Sequence, residues 1–131
     1  MISSVSGKRS YPFVGPYTAS KHALEGYSDA LRRELMLYDI DVVVIEPGPI
    51  KTPIWDKTPS IEDNPFLGTE YESALRKFYN EMVTKGKNEG LPVDRVGKLV
   101  EMVVTSSRPK TRYVITGRKL MDYILPGILP D

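Results

Sequence analysis

Tyr17 and Lys21 stand four residues apart in Pro16-Tyr-Thr-Ala-Ser-Lys-His-Ala-Leu24, near the start of a long helical pattern. On a helix this spacing puts both side chains on one face, a turn apart. An ammonium held beside a phenol favours the phenolate, and a tyrosine so placed can act as a general acid or base. By spacing alone the pair reads first as a surface contact on an amphipathic helix. The elements around it must decide.

The remaining residue types leave few other candidates. There is no cysteine and His22 is the only histidine, so disulfides, thiolate or zinc sites, a cysteine nucleophile and a Ser-His-Asp triad fall away. Proton chemistry is left to Tyr, Lys, Ser or a carboxylate. His22 lies about 100° around the helix from Lys21 and reads as a packing or capping residue, not a second base. Lys+Arg number 18 against Asp+Glu 17, and no basic run exceeds two residues, which argues against a nucleic-acid surface. No apolar run reaches the roughly 18 residues that span a bilayer, and the N-terminus lacks the build of a signal peptide. A cytoplasmic protein is expected, membrane-associated only if a segment before Met1 carried an anchor. With 131 residues, 40% apolar and 27% charged, the chain has the size and composition for one modest core.

The elements that would position the pair follow from pattern. Met1 to Val5 reads as the tail of a strand running into Ser6-Gly7. Residues 8–16, with Pro12, Gly15 and Pro16, form a loop before a helix. From Tyr17 to Tyr38, Ala23, Leu24, Tyr27, Leu31, Leu35 and Tyr38 recur at helical steps and define the expected buried face. Gly26 within it suggests close approach of a neighbouring backbone. Val42 to Ile45 are four β-branched residues without alternation, as in a parallel strand covered on both faces, and Glu46-Pro-Gly-Pro49 stops them. Residues 50–67 read as a long proline-bearing loop. A helix over 69–85 follows, with Tyr71, Leu75, Phe78, Tyr79 and Met82 on its inner side. Pro92-Val93-Asp94 opens another, with Val96, Leu99, Val100 and Val103 inward. Tyr113 to Ile115 is a short strand, and residues 118–131 form an apolar, proline-bearing tail. Strands alternating with helical crossovers argue for an α/β fold. The sheet should be parallel, and three strands are too few to make a whole one, so the chain looks like half a domain.

These residues resemble the short-chain dehydrogenase/reductase family. Ile2-Ser-Ser-Val-Ser-Gly7 is similar to its serine strand, Tyr17-Thr-Ala-Ser-Lys21 to its Tyr-x-x-x-Lys motif, and Pro47-Gly-Pro-Ile-Lys-Thr52 to its Pro-Gly-x-x-x-Thr loop. The family serine lies thirteen residues before the tyrosine, and counting back from Tyr17 gives Ser4. The resemblance implies an α/β fold with a partial Rossmann-type parallel sheet, the last three strands with their flanking helices, and a catalytic set of Ser4, Tyr17 and Lys21. Tyr17 would exchange a proton with the substrate oxygen, Ser4 would hydrogen-bond that oxygen, and Lys21 would ease ionisation of the tyrosine and hold the nicotinamide ribose. Cofactor contacts would fall to Tyr17, Lys21, Pro47, Gly48, Ile50 and Thr52. The cofactor would be NAD or NADP, the substrate a small alcohol or ketone of apolar character, and residues 50–90 the segment covering it. Arg112 to Arg118 before the apolar tail is similar to members acting on retinoids or steroids.

The family's glycine-rich dinucleotide turn and its catalytic asparagine are absent here. The chain therefore reads as the C-terminal half of one such domain, with those parts before Met1. A piece without the pyrophosphate-binding turn should bind cofactor poorly. The competing expectation is an inactive interaction module, dimerising through the 17–38 helix.

Overall fold

The computed structural model describes residues 1–117 together with Tyr123 and Ile124. Val42, Val44 and Ile45 are buried at its centre, and the run leads into strand β1, Val44–Pro47. Neighbours in a strand point to opposite faces, so consecutive buried residues mean that both faces are covered. On one side β1 pairs in parallel with Arg112–Ile115, numbered β4 in chain order, with Val44 opposite Arg112 and Pro47 opposite Ile115. On the other side Ile2 bridges Ile45, also in parallel. There Ile45 N–H donates to Met1 O at 2.9 Å and Ser3 N–H to Ile45 O at 2.8 Å. The expected parallel arrangement is present with β1 in the middle. The N-terminal segment contributes a single bridge before a 3₁₀ turn at Val5–Gly7.

Helix α1 spans Gly15–Leu35 and tightens to a 3₁₀ turn over Met36–Tyr38. Pro16 sits in its first turn, where a missing N–H costs nothing. Asp39 ends it at φ 55°, in the left-handed region that Asp enters more readily than most residues.

The face that α1 buries is not the one its apolar periodicity points to. Thr18, Glu25 and Ser28 are buried, while Ala23, Tyr27 and Tyr38 are exposed. Of the expected stripe, Leu24, Leu31 and Leu35 are half-buried at its margin. The inward stripe is built of small hydroxyls and one carboxylate, and the carboxylate is tolerated there because Arg112 reaches it. Among the described residues Gly26 serves no close approach, for a Cβ added to it would touch none of them within 4 Å.

The segment after β1 is more ordered than a loop. Ile50–Lys51 form β2, which pairs in parallel with Leu91–Pro92, β3, and closes the segment at its base. Between them lie 3₁₀ turns at Pro53–Asp56 and Ile61–Asp63, helix α2 at Glu72–Thr84, and a π-helical turn at Lys85–Glu89. Trp55 fastens the base. Its ring covers Gly86, where any Cβ would collide with the ring carbons, and its Nε1–H donates to Ile50 O at 2.7 Å. Leu75 is buried in α2 and Phe78, Tyr79 and Met82 are half-buried, as the periodicity indicates; Tyr71, before the helix, is exposed.

Helix α3, Val93–Thr105, follows Pro92 and buries Val103, with Val96, Leu99 and Val100 half-buried. Among the described residues no helix is long and apolar enough to cross a membrane. The apolar tail expected over 118–131 lies outside the described residues, except for Tyr123 and Ile124.

Candidate active site

Because the strands are parallel, their carboxyl ends share one edge of the sheet, which is where ligands meet such sheets. Ser4, two residues beyond the Ile2 bridge, and Pro47-Gly48 at the end of β1 both sit there. Ser4 is buried and caps the turn at Val5–Gly7, its Oγ accepting from Ser6 N–H at 3.1 Å. That bond fixes the hydroxyl oxygen in one orientation.

Tyr17 lies in the first turn of α1 and is 48% exposed. The Lys21 ammonium stands 5.7 Å from the centroid of its ring and donates to Ile2 O at 3.2 Å. One of the three ammonium donors thus ties α1 to the strand end that carries Ser4. His22 is exposed, and its Nδ1 lies 3.0 Å from Thr18 O, a contact within its own helix.

In the Pro47 to Thr52 loop, Gly48 N–H donates to Ile115 O at 2.8 Å. Thr116 occupies the space a side chain at Gly48 would need, with its Oγ1 2.6 Å and its Cβ 2.7 Å from the position of an added Cβ. On that side the close approach at this glycine is made by the chain itself. Ile50 is committed to β2, and Thr52 is half-buried at the start of the Pro53–Asp56 turn, where its hydroxyl makes no capping bond.

Several side chains between α1 and the strands, toward the start of β4, escape a reading of the sequence. Arg112 Nε donates to Glu25 Oε2 at 3.1 Å and Nη2 to Asp29 Oδ1 at 2.6 Å, while Nε lies 3.5 Å from Glu46 Oε1. Lys8 Nζ stands 3.3 Å from Glu25 Oε2. Burial raises the Glu25 carboxyl, but the Ser3 hydroxyl, Arg112 and Lys8 outweigh it and hold the group below its ordinary value. Glu46 goes the other way. It is 0% exposed, and burial together with the charge of Glu25 pushes its carboxyl up. Beside it the Tyr123 hydroxyl is pushed up to about 12, by burial and by the Glu46 charge. Glu25 and Glu46, which share the guanidinium with Asp29, are thus driven apart in proton affinity.

Phe13 joins the loop before Tyr17 to α2, its ring 5.8 Å from that of Phe78. Its φ of 64° costs a residue with a Cβ roughly 1–3 kcal/mol. Two of these residues left a signal in the sequence. Glu46 is a carboxylate inside an otherwise apolar strand, and Trp55 is the one tryptophan, set among prolines.

Comparison with known proteins points the same way. The family model described as short chain dehydrogenase matches residues 1–63. The NADPH-dependent 3-dehydrocapnine reductase of Ornithobacterium rhinotracheale is 46% identical over 131 residues, covering 99% of this chain and 45% of that protein. A probable short-chain type dehydrogenase/reductase, VdlC, of Helicobacter pylori is 37% identical over 133 residues, covering 99% of this chain and 47% of its own length. The chain therefore spans about half the length of these curated relatives. The crystal structure of a short-chain dehydrogenase from Streptomyces avermitilis superposes on 97% of the chain and 46% of its own, with a TM-score of 0.74 at 23% identity, a likeness of fold. Serine turn, Tyr-x-x-x-Lys helix and Pro-Gly strand end stand in their order on a parallel sheet, and the relatives match across the whole length: the chain belongs to the short-chain dehydrogenase/reductase family.

Proposed function

We propose that this chain is the C-terminal half of an oxidoreductase that moves a hydride between NAD or NADP and an alcohol or carbonyl substrate, with Tyr17 as general acid and base. The observation that carries the reading is the Tyr17–Lys21 pair, with the ammonium 5.7 Å from the ring centroid and bonded to Ile2 O, on the strand that leads to Ser4. The donor chemistry suits a nucleoside: Lys21 spends one N–H on Ile2 O and keeps two for ribose hydroxyls. Pro47, Gly48, Ile50 and Thr52 are the residues that would line the nicotinamide.

When bound, the nicotinamide supplies or takes up the hydride. Reduction of a carbonyl leaves charge on its oxygen, and Ser4 Oγ–H donates a hydrogen bond to that oxygen as the charge grows. Tyr17 then gives its phenolic proton to the same oxygen, and in the reverse direction takes it back. Lys21 holds α1 to the strand end and keeps a positive charge beside the phenol.

The half-buried Phe78, Tyr79 and Met82 of α2, with Phe13 against Phe78, favour an apolar substrate beneath residues 50–90. The NADPH in the name of the Ornithobacterium relative favours the phosphorylated cofactor. A cytoplasmic location, with a ready supply of such cofactors, goes with this function.

A second reading has its own support. Tyr27, Leu37 and Tyr38 are 58%, 85% and 73% exposed on α1 and the turn that ends it, an apolar surface suited to a second copy of the chain. A homo-oligomer through residues 17–38 is compatible with catalysis. It is the whole function if the chain works alone as an interaction module.

The test is to express the complete reading frame and follow nicotinamide absorbance with a panel of aliphatic, aromatic and steroidal ketones and both cofactor forms. Turnover is expected with apolar ketones. Absence of turnover across the panel, with intact oligomerisation, favours the second reading.

A further inference from the structure

The elements that carry Ser4, Tyr17 and Lys21 meet β4 around one buried carboxylate. Glu25 follows Lys21 by four residues, on the same face of α1, and is 4% exposed. The turn after Ser4 presses on it, since a Cβ on Gly7 would come 3.0 Å from Glu25 Cγ. Lys8 reaches it from the loop beyond that turn, at 3.3 Å. Arg112 reaches it from β4, at 3.1 Å, and its other arm grips Asp29 one turn further along α1, at 2.6 Å. Two grips at successive turns fix both the rotation of α1 and its position along its axis. Arg112 also stands 3.5 Å from Glu46, the residue before Pro47, so the same guanidinium touches the strand that leads into the loop.

We propose that Glu25 and Arg112 form a positioning pair that clamps α1 against the serine turn and β4, and so holds Tyr17 and Lys21 in register with Ser4. The proposal rests on the reading of Ser4, Tyr17 and Lys21 as the proton-transfer set. Stability alone does not explain the pair. Replacing a buried ion pair by neutral residues of similar size often leaves a fold as stable or more so, whereas removing one partner is costly. What the pair supplies is geometry: a forked donor spanning two acceptors a helical turn apart, which a lysine cannot do.

The experiment uses the protein expressed from its complete reading frame and compares Glu25→Gln, Arg112→Lys and the double variant Glu25→Gln with Arg112→Met. Ketone reduction by NADPH and NADH is measured beside thermal melting and amide hydrogen exchange. In the double variant melting should stay close to that of the parent. Its kcat should fall roughly 10- to 100-fold at little change in the KM for ketone, as a misplaced catalytic group costs rate before binding. Arg112→Lys should lie between. Exchange of the amides of Thr18 to Lys21 should quicken in the double variant while that of α3 stays the same, a readout that needs no turnover.

A double variant with parental rate and parental exchange overturns the proposal, as does a loss of rate that merely tracks loss of stability across the three variants. Tyr17→Phe in the same assay separates the two levels. If it retains full turnover, the underlying reading of the site fails. If it is inactive while the double variant is fully active, only the positioning role fails.

Discussion

Replacing Gly48 by alanine is the perturbation whose cost follows most directly from the geometry. The new Cβ would lie 2.7 Å from Thr116 Cβ and 2.6 Å from Thr116 Oγ1. Carbon atoms pack at about 3.5–4.0 Å, so the two Cβ atoms must part by about 0.8 Å or more. Rotating the threonine side chain moves Oγ1 but leaves Cβ where the backbone holds it, so only a shift of one strand end relative to the other gives relief. That shift stretches the bond from Gly48 N–H to Ile115 O, now 2.8 Å. Overpacking at about 1–3 kcal/mol, with about 0.5–1.5 kcal/mol for the weakened hydrogen bond, predicts a loss of about 1.5–4.5 kcal/mol in urea unfolding. The cause is checked with a double-mutant cycle. In a Thr116→Gly background most of the cost of Gly48→Ala should vanish, a coupling of about 1–3 kcal/mol. A loss under about 0.5 kcal/mol, or the same loss in both backgrounds, would refute the reasoning.

Other outcomes follow from the same contacts. The folded Glu46 carboxyl titrates above its ordinary value of 4.5, so its contribution to stability is full below that value and is lost as pH rises through the folded one. Glu46→Gln should flatten that decline, read as melting temperature against pH, whereas Glu25, lowered in the fold, should matter only on the acid side, where stability falls as pH drops through its folded value. An unchanged pH profile in Glu46→Gln would contradict the assignment. Trp55→Ala uncovers Gly86 and removes the bond to Ile50 O, and residues 50–92 should be cleaved by protease before the sheet unfolds, with Trp55→Phe intermediate. Leu37→Glu, at a position 85% exposed, should leave melting unchanged and shift sedimentation to a smaller species; an unaltered oligomer would exclude this surface.

The three motifs, the central strand and the existence of each long helix were legible in the sequence because each rests on local pattern: β-branched continuity at Val42 to Ile45, helical steps from Tyr17 onward, Pro16 and Pro92 opening helices. The orientation of α1 was not. Periodicity of large apolar residues marks the inner face only when the inner face is made of them, and here the helix rests on Thr18, Glu25 and Ser28 while Tyr27 faces out. The partner that makes a buried Glu25 tolerable, Arg112, lies 87 residues away in the chain, beyond any local window. Strands β2 and β3 were hidden by their length, two residues each, and by Pro92, which has no N–H for a ladder. Gly48, expected among the cofactor contacts, is crowded on one side by Thr116, a neighbour from the end of another strand. The lone tryptophan among the prolines has its reason in Gly86, which packs beneath its ring from beyond α2.

The central claim is that Tyr17 moves the proton, and the most direct measurement is kcat for ketone reduction by the Tyr17→Phe variant of the complete protein. The change removes one hydroxyl from a half-exposed ring and leaves the ring, Lys21 and its bond to Ile2 O in place. A fall of roughly 10²–10⁴-fold in kcat with unchanged melting is the predicted result; turnover at the parental rate would contradict the account.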